Sequence, residues 1–271
     1  MSSSIAFIGG GNMASAILGG LLRAGRPVGS LQVVEPFEAQ RERLAQQFPG
    51  LRCLAGAEAS LAQAGLVVWA VKPQLFAEAA APCAGLVGGA LQLSVMAGIR
   101  STAIVRATGS ERVVRAMPNT PALIGRGIAG LYARAAVSPA DRVEVEAVLA
   151  PTGATLWVEG EDDLDAVTAL SGSGPAYFFY VVEAMMTAAQ QMGLSAEQGR
   201  RLALATCGGA AALGLQSEDS PTLLREKVTS KGGTTHAAIS SLQAEGVGEA
   251  IQRAVLAAQR RARELGDEFG N

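Results

Sequence analysis

The hydrophobic positions of this chain fall into two regimes. Up to residue 158, short apolar runs of strand length alternate with stretches of helical period; beyond Asp163 only the helical period remains. The strand-like runs are residues 4–8, 31–34, 66–71, 91–95, 113–116, 129–132 and 155–158. Run 66–71 is apolar throughout, as a central parallel strand covered on both faces must be. Between the runs lie helical patterns such as Ala16-Ile17-Leu18 with Leu21-Leu22, closed by Gly25, and residues 138–149. This alternation predicts an α/β unit.

The second regime opens on 176–192, a helix apolar almost all round that must be covered on every side. Ser195-Ala196-Glu197-Gln198 has the spacing of a capping box, opening a helix rich in Ala and Gly that runs to about Gln216. Ser220-Pro221 starts a helix ending near Val228, another begins close to His236, and 254–265 closes the chain. Arg260, Arg261 and Arg263 are expected in the last turns of that final helix, favourably placed against its dipole. The expected organisation is an N-terminal domain over 1–160 and an all-helical domain over 161–271. A domain of that size is too small to bury two such apolar helices alone, so they are expected to form a subunit interface.

Composition narrows the partners. Of 271 residues, 49% are hydrophobic and 17% charged, with a formal net charge of −2 and no large basic cluster. Nucleic acid and anionic membrane are therefore poor candidates, and a small molecule is the better one. The longest nearly uncharged apolar stretch, 202–215, is too short to span a bilayer. Cys53, Cys83 and Cys207 are far apart, odd in number and without C-x-x-C spacing, which argues against a disulfide framework or a zinc site and fits a reducing cytoplasm. The N-terminus carries no basic region or cleavage signature of an export signal.

Five stretches carry candidate chemistry. The first strand ends at Ile8 and runs into Gly9-Gly10-Gly11-Asn12-Met13-Ala14, which fits G-x-G-x-x-A between a strand and a helix. Gly9 would make the tight turn, Gly11 would admit the pyrophosphate, and Ala14 would let the helix pack on the strand. This predicts a Rossmann-type dinucleotide-binding domain. Glu35, at the end of the second strand, is placed to accept hydrogen bonds from a ribose 2′-hydroxyl and so to favour NADH; Arg41 and Arg43 lie close enough to neutralise a 2′-phosphate instead. The cofactor is therefore NADP(H) or NAD(H). Ala70, Val71, Lys72 and Pro73 stand at the carboxyl end of the central strand, where such sheets meet their ligands, so Lys72 is either a contact or a solvated strand-end lysine. Met117-Pro118-Asn119-Thr120-Pro121 forms a polar turn at another strand end.

The fourth stretch, Ser171-Gly172-Ser173-Gly174-Pro175, is too glycine-rich for a helix interior and reads as a cap with free N–H groups before the helix at Pro175. The fifth, Thr229-Ser230-Lys231-Gly232-Gly233-Thr234-Thr235, brings free N–H groups of Gly232 and Gly233 and the hydroxyls of Ser230, Thr234 and Thr235 to a helix N-terminus. That is a carboxylate-sized anion site.

Taken together, the glycine loop, Ala70-Val71-Lys72-Pro73, Met117-Pro118-Asn119-Thr120-Pro121, the run from Asp165 through Ser171-Gly172-Ser173-Gly174-Pro175-Ala176-Tyr177, and Val228-Thr229-Ser230-Lys231-Gly232-Gly233-Thr234-Thr235 resemble the pyrroline-5-carboxylate reductases over essentially the whole chain. The resemblance implies NAD(P)H-dependent reduction of 1-pyrroline-5-carboxylate to L-proline, the last step of proline biosynthesis. It implies a Rossmann domain followed by a helical domain that interlocks into homodimers and often larger rings. It also implies that Ala70 to Pro73 line the cofactor, that Glu161 lies near the substrate, and that Ser230 with Gly232, Gly233, Thr234 and Thr235 holds it. Two departures stand out: Lys231 replaces a usual proline, and Glu35 stands where a small hydroxyl residue often serves NADPH. Thr235 is the expected hydrogen-bond partner of the ring nitrogen, with His236 a helix-start residue. A β-hydroxyacid dehydrogenase would need a lysine on the interdomain helix, and Ala176-Tyr177-Phe178-Phe179-Tyr180 has none. A non-catalytic NAD(P)-binding redox sensor would leave the anion loop without a purpose.

Overall fold

The structure, a computed structural model, describes residues 4–269. Eight strands form one sheet: β1 (Ser4–Ile8), β2 (Leu31–Val34), β3 (Arg52–Leu54), β4 (Ala64–Trp69), β5 (Leu91–Ser94), β6 (Val113–Met117), β7 (Gly127–Ala133) and β8 (Gly153–Trp157). Their order is 3-2-1-4-5-6-7-8, parallel except where β7 runs antiparallel to β6. Five α-helices are threaded between them: α1 (Asn12–Arg23), α2 (Glu38–Gln47), α3 (Phe76–Ala80), α4 (Ser101–Thr108) and α5 (Pro139–Leu149). After the sheet come α6 (Asp163–Val167), α7 (Gly174–Gln191), α8 (Ala196–Gln216), α9 (Pro221–Lys227), α10 (Thr234–Ala244) and α11 (Val247–Phe269).

The period of two along each strand divides the sheet's core into two layers. Ile5 and Phe7 of β1 face α1 and α5, together with Leu31, Val33, Leu66, Val68, Leu91 and Leu93. Ala6 and Ile8 face the opposite side with Val67, Trp69, Phe76 and Ile104, under α3 and α4. Both faces are covered, so the strands read as continuous apolar runs. β1 pairs with β2 on one side and β4 on the other, and the chain order reverses between them. The crevice at that reversal, beyond the carboxyl ends of the strands, is where such sheets bind ligands.

The chain divides into two compact units among its described residues, 4–173 with 258–269, and 174–257. The sequence reading placed the change at 160/161. The difference has a packing cause: Gly130 on β7 leaves room for Val167 of α6, whose methyls lie 2.6 and 2.7 Å from where a Cβ on Gly130 would sit. α6 therefore belongs with the sheet. The last helix also begins earlier than expected, at Val247, and continues past Leu265, so Arg260, Arg261 and Arg263 are not in its last turn. Arg261 instead pairs along the helix with Glu264 and Glu268, each at 2.9 Å.

The Ser-Gly-Ser-Gly run is not a break. Residues Thr168–Gly172 form a π-helical turn directly after α6, and the Ser173 N–H donates to the Thr168 carbonyl at 2.8 Å. Hydroxyls of Thr168 and Ser171 donate to the carbonyls of Leu164 and Val167. The expected free amide at Ser173 is thus spent on the wider turn, and the small residues permit that turn rather than a loop.

Within the helical unit, the Ser195 capping box forms as expected, with Ser195 Oγ accepting from Gln198 N and Gln198 Oε1 accepting from Ser195 N. α7 packs along α8, with Ala189 against Gly199. Yet α7 leaves Phe178, Phe179 and Tyr180 exposed at 63%, 58% and 76%, and α8 leaves Leu202, Leu213 and Leu215 exposed. So much large apolar surface on one small unit marks an association surface.

An ion network ties α4, β6 and α6 together. Glu161 accepts from Ser101 N at 2.6 Å, from Ser101 Oγ at 2.7 Å and from Arg115 at 2.9 Å. Arg100 reaches Asp162 and Asp165. Burial works to raise the Glu161 carboxyl, but the Ser101 hydrogen bonds and the Arg115 charge outweigh it and hold it below its ordinary value. The Arg112 hydrogen bond, with further bonds from Ser138, does the same for Asp141 against its partial burial. Carboxyls depressed in the folded state contribute stability that is complete above their ordinary values of 4.5 and 3.8 and is lost as pH falls through the lower folded ones. The denaturant midpoint should accordingly fall on acidification below those ordinary values, and Glu161→Gln should lower it at neutral pH while flattening its acid dependence. An unchanged acid profile in that variant would contradict the ion-network account.

Candidate functional site

The glycine loop sits at the carboxyl end of β1, between β2 and β4. Gly9 has φ +95°, and a Cβ there would meet the Ala70 carbonyl oxygen at 2.8 Å and Val71 Cγ1 at 2.9 Å. Only glycine permits this turn and this approach. The turn is fixed on both sides: Gly9 N donates to Val34 O and Ala70 N to Ile8 O, each at 2.8 Å. Gly11, in contrast, has nothing within 4 Å of where a Cβ would be. It caps α1, whose first i→i−4 bond is Ser15 N to Gly11 O. The amides before Ser15 thus have no intrahelical acceptor, and α1 has no acidic residue in its first turn to compete for them. Open space above bare amides at a helix N-terminus suits a pyrophosphate.

These residues line a cleft of about 680 Å³. Ile8, Gly9, Gly10, Gly11, Glu35, Ala70, Val71 and Lys72 all face it, so the structure brings together most of the positions expected at the cofactor. Asn12 and Met13 lie just behind, at the start of α1, with Met13 packed on the core beneath. Pro73 begins a short 3₁₀ turn (Pro73–Leu75) and lines a neighbouring hollow instead. The reading of the sequence missed Phe37, Gln40, Leu75 and the Ala55-Gly56-Ala57 segment after β3, which also line the cleft. No motif marks them; they are set in place by the short strand β3 and by α2.

Glu35 occupies the expected place at the cleft and in addition braces the loop. It is only 6% exposed. Its Oε2 accepts from Gly10 N at 2.9 Å and its Oε1 from Phe37 N at 3.0 Å. Gln40 closes the other side of the loop by donating to Gly10 O at 2.6 Å. The carboxylate is thus a brace inside the loop, where sequence alone placed it on the ribose. Arg41 is likewise engaged, its guanidinium donating to the carbonyls of Glu35 and Pro36 at 2.9 and 2.6 Å.

Glu161, expected at the substrate, is held by Ser101 and Arg115 at the N-terminus of α4. A carboxylate so placed satisfies free amides and complements the helix dipole.

The loop at 230–235 is a tight turn. Gly233 N donates to Ser230 O at 3.0 Å across Gly232, whose φ is +76°. A Cβ on Gly233 would meet Ser230 Oγ at 2.7 Å. The Gly233 amide, expected free, is therefore committed. α10 then begins without a side-chain cap, and its first i→i−4 bond is Ala237 N to Gly233 O. Among the described residues, no acceptor takes the amides of Thr234, Thr235 and His236, and no hydrogen bond uses the side chains of Ser230, Thr234 or Thr235. Thr235 is half-buried and Ser230 exposed. Of the expected donors only the Gly233 amide is committed, and the Thr234, Thr235 and His236 amides extend the set into the first turn of the helix.

A parallel sheet with this glycine turn and this cleft at its reversal point defines a Rossmann-type, dinucleotide-dependent oxidoreductase. Residues 4–98 match the family model described as NADP oxidoreductase, coenzyme F420-dependent, and residues 161–265 match that for pyrroline-5-carboxylate reductase dimerisation. A pyrroline-5-carboxylate reductase of Pseudomonas aeruginosa is 44% identical over 98% of this chain and 98% of its own. The structure of such a reductase from Coxiella burnetii superposes with a TM-score of 0.91, at 35% identity over 98% of this chain and 99% of that one. That of Plasmodium falciparum, solved with NADP bound, gives 0.85 at 26% identity, covering 98% of each chain. The chain belongs to the pyrroline-5-carboxylate reductase family. Membership of that family disfavours the hydroxyacid dehydrogenase and sensor readings.

If Glu35 is a brace, removing it should loosen the loop for either cofactor. Glu35→Ala leaves the buried Gly10 N–H and the part-buried Phe37 N–H without their acceptor and should cost about 1–3 kcal/mol of unfolding free energy. It should weaken NADH and NADPH by similar factors. Selective loss of NADH alone, with unchanged stability, would return Glu35 to the ribose.

Proposed function

We propose that this chain reduces 1-pyrroline-5-carboxylate to L-proline, with the 230–235 turn holding the substrate. The carrying observation is the set of uncommitted donors at the start of α10, the Thr234, Thr235 and His236 amides with the Ser230, Thr234 and Thr235 hydroxyls. A substrate carboxylate needs that kind of partner: several N–H and O–H donors converging at a helix N-terminus. The nicotinamide, when bound in the cleft, supplies the hydride.

The residues then have a light task. A protonated C=N is already electrophilic at carbon, so the reaction asks for orientation more than for a strong acid or base. Ser230 and the α10 amides fix the carboxylate. The Thr235 hydroxyl oxygen accepts from the imine N–H and so orients the ring. The amides at the start of α1 would hold the dinucleotide's phosphates above the opening at Gly11, with Gly9 shaping the turn and Ala70, Val71 and Lys72 along the cleft wall. Glu161 acts at one remove, fixing α4 and Arg115.

The exposed ridge of Phe178, Phe179 and Tyr180 supports a homodimer or a higher assembly of dimers. Among the described residues no helix is long and apolar enough to cross a membrane, and we place the enzyme in the cytoplasm.

Replacing the Thr235 hydroxyl without changing its shape tests the site. Thr235→Val should lower kcat/KM for the imine about tenfold to a hundredfold, as loss of one hydrogen bond to a charged group implies, while Thr235→Ser stays within a few fold. Full activity in the valine variant would remove Thr235 from the site. For the assembly, light scattering of a dilute sample should give a multiple of the 27.6 kDa chain. A monomer mass alone would contradict the interface.

A further inference from the structure

The β2 side of the cleft is lined by Glu35, Pro36, Phe37, Ala39, Gln40 and Arg43. Three polar groups in this neighbourhood are already committed. Both oxygens of Glu35 are held by backbone amides, Gln40 is bonded to Gly10 O, and Arg41 is bonded to the carbonyls of Glu35 and Pro36. Arg43 is different. It lies on the cleft-facing side of α2, is exposed, and forms no ion pair or hydrogen bond with any described residue. The other charged residues lining the cleft are Lys72, beyond the end of β4, and Glu78 of α3.

We infer that Arg43 is the specificity-determining residue for the cofactor, its guanidinium taking the 2′-phosphate of the adenosine ribose and giving this chain a preference for NADPH. This rests on the reading of the cleft as the dinucleotide site of a reductase. In an open sheet of this kind the adenosine ribose lies beside the end of β2, and α2 follows directly. An acid at that strand end excludes a 2′-phosphate by presenting its charge to it. Here both oxygens of the acid already accept from N–H donors of the chain, while Arg43 on the same wall of the cleft has no partner among the described residues. Guanidinium and phosphate match as a bidentate, charge-assisted pair, and nothing intramolecular must be broken to form it. The preference is the opposite of the one Glu35 suggests from sequence.

The test uses the whole chain and needs no turnover. Binding of 2′,5′-ADP and of 5′-ADP is measured by titration calorimetry for the natural protein, Arg43→Ala and Arg43→Lys. The natural protein should bind 2′,5′-ADP at least about tenfold tighter than 5′-ADP, as one charge-assisted pair implies. Arg43→Ala should erase that preference with 5′-ADP within about twofold, and Arg43→Lys should keep part of it, a point charge replacing a fork. Raised salt should narrow the gap in the natural protein. Equal weakening of both ligands in Arg43→Ala, an unchanged preference, or tighter binding of 5′-ADP by the natural protein would each overturn the proposal. Imine turnover is assayed separately. Its absence with both NADH and NADPH would strike the reductase reading and leave the ligand-binding comparison to judge Arg43.

Discussion

The structure depends on the close passage of Gly9 under the end of β4. No side chain fits between that turn and the Ala70 carbonyl, and the positive φ excludes most residues from the turn in any case. With the turn pinned to Val34 on one side and Ala70 following Ile8 on the other, the loop projects from the sheet at the single point where strand order reverses. Glu35 and Gln40 then hold Gly10 from both its N–H and its carbonyl. A chain segment that must present bare amides to an anion cannot be held by them, so it is held at its neighbours. The second residue of the loop is tied so that the third can be open.

The same division of labour recurs at the second glycine turn. Gly233 is committed to Ser230, and the amides that follow at the start of α10 have no acceptor among the described residues. In both places the glycines build the turn, and the following residues offer the donors. The hydride chemistry, which needs orientation more than proton transfer, suits a chain with a single histidine.

Much of this was legible in the sequence. Uninterrupted apolar strands signalled a sheet covered on both faces, and the glycine loop came between a strand and a helix, which gives an otherwise common motif its meaning. The Ser195 capping box and the helix starts at Pro221 and near His236 were local signals that tertiary packing did not override. What was hidden was non-local. β3 has three residues and no pattern of its own, and it exists because β2 offers an edge. The acid at Glu35 was visible, but not its rotation onto Gly10, a partner 25 residues away. Ser-Gly-Ser-Gly looked like a break because glycine lowers helix propensity; a π turn instead uses that freedom, with Ser171 and Thr168 hydroxyls bonded back along it. The domain boundary moved because Val167 fills a space left by Gly130, a pairing that nothing in the intervening sequence announces.

The central claim is that the chain reduces a cyclic imine carrying a carboxylate. The most direct measurement is oxidation of the reduced nicotinamide, followed by its absorbance, with 1-pyrroline-5-carboxylate and with 1-pyrroline lacking the carboxylate, alongside a panel of hydroxyacids in the oxidative direction. The account predicts turnover of the carboxylated imine, a large loss of kcat/KM when the carboxylate is absent, and no hydroxyacid oxidation. Equal turnover of the two imines, or turnover of a hydroxyacid in their place, would contradict it.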